Sequence, residues 1–329
     1  MLPIQKKQKQ FSIFKISKAF FQIFSKITDR LPAESPEGKR MPIDIVFVRH
    51  GESEGNRILT QANQGDNTNF TPDFRKRPSS MWRLTNLGQE QARIAGEWVR
   101  KNIGEKFDRY YTSEYLRAME TAALLNLKEA KWIIATYLRE RDWGVFELLS
   151  PQERMKKFKR EMERHERDSY YFAPPGGESL AQVCIRVDRI LSTLREQCCE
   201  QSVILVTHRE ILTTFRVRLE RIPQVRFKKL LVDPDSSIRN GQILHYSRRD
   251  PKTGKISPYL RWKRSVCPWD LKNSNLEWEE YERSVYSNDE LLDQVEKTPK
   301  LLHEKKAEVK QQIEKEIEKE TEKRKEEKC

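Results

Sequence analysis

Between residues 43 and 219 the chain alternates short apolar runs with stretches whose apolar positions recur every three to four residues. Residues 43–48 are apolar apart from Asp44 and rich in β-branched side chains, the pattern of a strand buried on both faces of a parallel sheet. Residues 107–111, 132–137 and 203–206 have the same character. Helical patterns separate them. One runs from Thr85, an N-cap residue, through about Val99 or Ile103, and a second carries Leu116, Ala118, Met119, Ala122, Ala123 and Leu125. A third follows Pro-Pro-Gly-Gly-Glu-Ser with Leu180, Val183, Val187, Ile190, Leu191 and Leu194, and a fourth spans 211–219. Strands alternating with helices predict an α/β fold around a parallel sheet.

Elsewhere the pattern predicts simpler structure. Residues 58–81, poor in apolar positions and rich in Asn, Asp, Pro and Arg, read as a polar loop. The basic segment 152–168 reads as a surface helix. Residues 241–246 and 259–262 alternate about an Asp-Pro-Lys-Thr-Gly turn and predict an edge hairpin. Residues 276–302 read as helical and peripheral. The Glu/Lys run 303–329 has only Ala307, Val309, Ile313 and Ile317 as apolar points, too few for a coiled-coil seam, and reads as a solvated helix or a disordered tail.

Charge sharpens this division. The 329 residues carry a net charge of +13. Residues 1–40 hold nine Lys/Arg against three Asp/Glu and residues 303–329 hold nine of each, which leaves +7 on the body between them. A basic body suits an anionic substrate or partner. No zinc finger, basic zipper or aromatic-basic RNA motif is present, so nucleic acid is not an expected partner. Residues 1–28 contain no acid, and their nine Phe and Ile positions between Phe11 and Ile27 cover a broad arc of a helix interrupted by Lys15, Lys18 and Lys26. The lysines exclude a bilayer span. The arc suits peripheral contact with an anionic membrane through residues 11–27, packing on its own domain, or organelle targeting. Residues 29–41, with Pro32, Pro36 and Gly38, form a linker. Five cysteines without a C-x-x-C pair fit reduced thiols in the cytoplasm, and Cys329 is misplaced for prenylation.

The four strand candidates run out into Arg49-His50, into Ser113 with Arg117, into Glu140 and into His208. Parallel strands share one carboxyl edge, where open α/β sheets bind ligands, so these residues converge on one crevice. Guanidiniums bind a phosphoryl group and neutralise it. A neutral imidazole can attack phosphorus, and a carboxyl group can protonate the departing alcohol and then activate water. No H-E-x-x-H or paired-Asp signature asks for a metal, and no cofactor is expected.

Six motifs in order resemble the histidine phosphatase superfamily, the phosphoglycerate mutase-like fold. They are Arg49-His50-Gly51-Glu52 with Ser53 and Asn56; Leu84-Thr85 with Gly88, Gln91 and Ala92; Ser113 with Arg117-Ala118 and Thr121-Ala122; Leu138, Glu140 and Gly144; Pro175-Gly176-Gly177-Glu178-Ser179; and Val206-Thr207-His208. The resemblance covers residues 42–265. Within it lies a basic insert near the site (152–175), and outside it are a basic amphipathic N-terminal extension and linker (1–41), a peripheral helical extension (266–302) and a charged tail (303–329). It implies a three-layer α/β/α sandwich with a mostly parallel central sheet. By resemblance His50 is the phosphorylated nucleophile, Glu140 the general acid and then base, and Arg49, Arg117 and His208 the phosphoryl-holding groups. Asn56, Ser53 and Ser113 are further site candidates. Competing roles are a helix cap for Ser113, a loop brace for Asn56, a helix start for Glu178, and Asp142 as rival acid. His165, His245 and His303 stand outside the site.

The implied activity is that of a metal-independent phosphomonoesterase, a histidine acid phosphatase-type phosphoric monoester hydrolase acting on a phosphorylated small molecule or phosphoprotein. Two alternatives are a phosphoglycerate-type mutase and a phosphate-binding scaffold without turnover. The mutases of the family carry R-R-S…P-P-P and S-H-G-N-S-L segments, both absent here. Most relatives have glycine after the second histidine, where this chain has Arg209, a residue that either crowds the pocket or adds a cation to it.

Overall fold

The structure, a computed structural model, describes residues 40–223, 227, 230, 237–281, 285–302 and 306–326. The amphipathic arc 11–27 and His303 lie outside the described residues. Seven strands form one sheet: β1 (Asp44–Arg49), β2 (Arg109–Thr112), β3 (Trp132–Ile134), β4 (Ser202–Thr207), β5 (Ile243–Ser247), β6 (Trp262–Val266) and β7 (Asn275–Glu280), in the order β3-β2-β4-β1-β5-β6-β7. The four strands at the β3 end are parallel, and β5, β6 and β7 continue the sheet antiparallel.

Strand pleat sorts the core into two layers. Ile45 and Phe47 point to one face with Val203 and Leu205, where they meet α7 (Leu180–Gln197) and α8 (Arg209–Leu219). Val46 and Val48 point to the other with Ile204 and Val206, against α3 (Asn86–Asn102) and α4 (Leu116–Leu124). Ile45 to Val48 are wholly buried, as a strand sandwiched between helical layers requires. The predicted α/β/α sandwich is therefore the observed architecture.

Several local expectations need correction. The segment read as a polar loop holds α1 (Glu54–Asn63), α2 (Pro72–Lys76) and a 3₁₀ turn at Ser79–Met81. Ala62, Phe70, Phe74 and Trp82 pack there into a small separate core whose members are too scattered in sequence to show a period. Strand β3 ends at Ile134 because the chain turns into a 3₁₀ segment at Thr136–Leu138. The basic segment is two helices, α5 (Pro151–Lys157) and α6 (Lys159–Arg167), broken at Phe158. Strands β5 and β6 do form a hairpin, but β5 is interior beside β1 and the edge belongs to β7. Residues 275–280 were expected to be helical. They form a strand whose four outward positions include three glutamates, a composition that protects a sheet edge.

The compact unit extends to Glu282, and a second unit follows it. That unit contains α9 (Asn288–Glu296), which has no buried residue, and α10 (Lys306–Glu326). No helix among the described residues is long and apolar enough to cross a membrane.

Candidate active site at the carboxyl edge of the sheet

Strand β1 delivers Arg49 and His50 to the carboxyl edge beside the end of β4, where Arg49 registers with Thr207 and His50 N–H donates to Thr207 O at 3.0 Å. The turn after His50 is held closely against the start of α3. A Cβ on Gly51 would lie 2.0 Å from Gly88 O, so both positions exclude a side chain. Glu52 N–H donates to Gln91 Oε1 at 2.8 Å, Gly51 N–H to Thr121 Oγ1 at 3.1 Å, and Thr85 N–H to Glu52 O at 2.9 Å. The Leu84–Ala92 and Thr121 motif positions thus position the His50 loop.

His50 Nδ1 lies 2.7 Å from Gly51 O, and Arg117 Nε donates to His50 Nε2 at 3.3 Å. This pattern fits a neutral ring with the proton on Nδ1 and the lone pair of Nε2 facing the crevice. Burial, then the guanidiniums of Arg117 and Arg49, hold the His50 pKa well below the ordinary histidine range. The His208 ring is 5.0 Å away, and burial followed by Arg117, His50 and Arg49 depresses its pKa as well. His208 Nε2 meets Ser113 Oγ at 2.8 Å, so Ser113 orients the second imidazole while also accepting the Tyr115 N–H at 3.3 Å.

Arg49 and Arg117 are both more than nine-tenths buried. Arg49 Nη1 donates to Ile238 O at 2.7 Å, and Arg117 Nη1 donates to Ser79 O beneath the rings of Tyr115 and Trp82. Arg49 Nε and His208 Nδ1 are buried with no hydrogen-bond partner among the described residues. Buried polar atoms are rarely left so, and two in one crevice mark where an anion's oxygens would fit. Glu140 is the carboxylate whose charge reaches Arg49, Arg117 and Arg141, and its Oε1 accepts the Arg141 N–H at 3.0 Å.

The remaining candidates divide by what they touch. Ser53 and Asn56 form the reciprocal cap that starts α1, and Asn56 Oδ1 also accepts from Asn240 Nδ2 at 3.1 Å. Asp142 pins its own turn through Gly144 N–H at 2.7 Å. Glu178 is taken up by Arg139 at 3.1 Å, Arg186 at 2.8 Å and Asp142 N–H at 3.1 Å. Burial, the largest single influence, would raise its pKa, but Arg186, the Asp142 N–H and Arg139 together outweigh it and hold the carboxylate low. His165 packs between Trp143 and Phe172, and His245 lies at the far end of β1. Of the basic segment, Arg154 alone turns inward over Trp143, while Lys156, Lys157, Lys159, Arg160, Arg164 and Arg167 are exposed. Arg209, first residue of α8, is exposed and does not fill the crevice.

Sequence reasoning missed a second set of residues. Asn240 Nδ2 donates to His50 O at 3.0 Å, and Gly241 N–H to Arg49 O at 3.1 Å. This loop is itself held by Trp269 Nε1 on Asn240 O at 2.7 Å. Glu147, reached by Arg117, Asp142 and Glu140, has its pKa raised by burial first. None of these has a local pattern of its own; the motif spacing around Glu140 and Gly144 was the nearest available signal. Among the described residues no group of three or more His, Cys, Asp or Glu is placed to hold a metal ion.

The profile of the histidine phosphatase superfamily (branch 1) matches residues 45–251. The 2,3-bisphosphoglycerate-dependent phosphoglycerate mutase of Parvibaculum lavamentivorans is 30% identical over 196 residues, covering 56% of this chain and 83% of that one. Fructose-2,6-bisphosphatase of Saccharomyces cerevisiae is 27% identical over 141 residues, 43% of this chain and 30% of that one. The crystal structure of the alpha-ribazole phosphatase from Shigella flexneri superposes with a TM-score of 0.50 at 21% identity, over 66% of this chain and 95% of that one.

Proposed function

The chain belongs to the histidine phosphatase superfamily (branch 1), and from that premise we propose that it is a phosphomonoesterase working through a phosphohistidine on His50. Members of this superfamily are phosphatases or mutases. In the first step His50 Nε2 forms a bond to phosphorus as the ester oxygen leaves, and Glu140 gives that oxygen its proton. Arg49, Arg117 and His208 hold the non-bridging oxygens throughout. In the second step Glu140 takes a proton from water, the water oxygen bonds to phosphorus, and the phosphorus–nitrogen bond breaks. Neither step requires a metal ion. Ser113 acts as a positioning residue for His208, and Ser53 and Asn56 as positioning residues for the loop.

The observation that carries this reading is the geometry around His50. A neutral imidazole with its Nε2 lone pair 3.3 Å from Arg117 Nε stands beside a second imidazole and an orphaned Arg49 Nε. The substrate class we assign is a small phosphate ester, in keeping with the phosphoglycerate and fructose-bisphosphate names of the relatives. Release of phosphate from p-nitrophenyl phosphate in EDTA, by wild type and His50→Ala, tests the reading. Turnover in the first and none in the second supports it; equal turnover in both, or turnover abolished by EDTA, overturns it.

A mutase is the second reading, favoured by the 30% identity to a phosphoglycerate mutase over 83% of that enzyme. Interconversion of 2- and 3-phosphoglycerate exceeding phosphate release would establish it instead.

A further inference from the structure

Arg209 opens α8 directly after His208, at the carboxyl edge of the sheet, with its side chain exposed. Arg49 registers with Thr207 across the β1–β4 pair, so Arg209 lies two residues beyond Arg49's own strand partner and next to His208. Its neighbour Glu210 is buried, takes the Trp143 Nε1–H at 3.1 Å and faces Arg141 Nη1 at 3.7 Å, with the Arg209 charge acting on it more weakly than that of Arg141. The Arg209 side chain is exposed, with no hydrogen bond or ion pair to the described residues. His208, which opens α8, offers no side-chain cap to the helix start either.

Charge makes the position informative. Arg49 and Arg117 already supply two buried guanidiniums for one phosphoryl group, and Glu140 is the carboxylate acting on both. After burial, Arg209 is the largest influence depressing the pKa of Arg49, so the third guanidinium is near enough to repel the first. Repulsion of this kind disfavours the empty site, and an anion at the rim relieves it. A lone phosphoryl group is already served by groups deeper in the crevice.

We propose that Arg209 binds a second anionic group of the substrate, a carboxylate or second phosphate carried on the same small molecule as the transferred phosphoryl group. The proposal rests on the reading of the crevice as a phosphate site. It narrows the substrate class to doubly anionic phosphate esters and assigns to Arg209 a specificity role rather than a catalytic one.

A pair of non-hydrolysable probes of nearly equal shape tests this on the wild-type chain. Ethylphosphonate offers one anion, and phosphonoacetate adds a carboxylate at the far end. By calorimetry the wild type binds phosphonoacetate on the order of tenfold or more tightly than ethylphosphonate, the worth of one charge-assisted contact. Arg209→Gly brings the two affinities close together, and Arg209→Lys retains part of the preference because it keeps the charge without the bidentate fork. Equal affinities in the wild type, or a preference that survives Arg209→Gly, would overturn the proposal. Ethylphosphonate binding that is displaced by inorganic phosphate and lost in Arg117→Ala reports the crevice itself. If the wild type binds neither probe, the phosphate site falls and this inference with it.

Discussion

The two ends of strand β1 each carry a buried imidazole beside an arginine, and they are built in opposite ways. At the amino end His245 Nε2 lies 3.0 Å from Asp44 Oδ1, and Arg264 faces its Nδ1 at 3.3 Å. The Arg264 guanidinium is stacked between Trp98 and Trp278, at 4.9 and 4.6 Å from the ring centres. A carboxylate balances the cation there, and both ring nitrogens have partners. At the carboxyl end two imidazoles and two guanidiniums are buried together, and two of their nitrogens have no partner. A buried cationic cluster that is balanced and satisfied serves the fold; one left unbalanced is arranged for something that arrives.

Substitutions at the two ends should separate these roles. The largest effect is expected for His50→Ala, which should lower phosphate release by about 10⁴-fold or more while the thermal midpoint stays near that of the wild type. Arg117→Ala should cost on the order of 10²–10³ in kcat, since it removes a positioned donor to the developing charge. Steady-state kinetics with p-nitrophenyl phosphate measure both. Retention of wild-type rates in either variant would break the comparison.

Asp44→Asn should do the reverse. It should destabilise the fold by about 1–3 kcal/mol in urea titration, because the half-buried carboxylate paired with buried His245 loses its charge. Its kcat should remain within about threefold of wild type, and a large loss of kcat without loss of stability would show that the amino end also serves the site.

A finer test concerns the brace behind the His50 loop. Trp269→Phe keeps the ring and removes the Nε1–H that holds Asn240 O. A lost hydrogen bond of about 1 kcal/mol predicts a fall of about fivefold in kcat with KM nearly unchanged. A change confined to stability would assign Trp269 to the fold alone.

The smallest effect is in pH dependence. His50, His208 and His245 all have folded pKa values below the unfolded value, so the unfolded chain binds the extra protons. Stability from these groups is present above the unfolded histidine value of about 6.5 and is lost as pH falls through it towards the folded values. Sulfate, which keeps its charge over this range, favours protonated imidazoles in the crevice. Low-millimolar sulfate should therefore raise the midpoint a few degrees more at pH 5.5 than at pH 7.5, and Arg117→Ala should reduce that difference. An equal sulfate effect at both pH values would place the depressed imidazoles outside the anion site.

Much of this organisation was legible in the chain itself. Doubly buried strands announce themselves as continuous apolar runs, and residues at their ends can be assigned to one edge without knowing any contact. That is why Arg49, His50, Arg117 and His208 were found together. Trp278 escaped notice because β7 is an edge strand, half exposed and rich in glutamate, and its pattern resembles a charged helix. The small core of Ala62, Phe70, Phe74 and Trp82 is likewise assembled from positions with no common period.

What the sequence determined by itself is the layering and the residues gathered at the carboxyl edge, since both follow from local periodicity and chain direction. Only the tertiary structure decided which of those residues are satisfied. Glu178 is occupied by two arginines, Asp142 by its own turn, and Ser53 by a helix cap, whereas Arg49 Nε and His208 Nδ1 are left open. It also decided that Arg209 faces outward beside the crevice instead of filling it. The reason is physical: hydrogen-bond satisfaction and charge balance depend on groups tens to hundreds of residues apart, and such distances are set by packing, not by spacing along the chain.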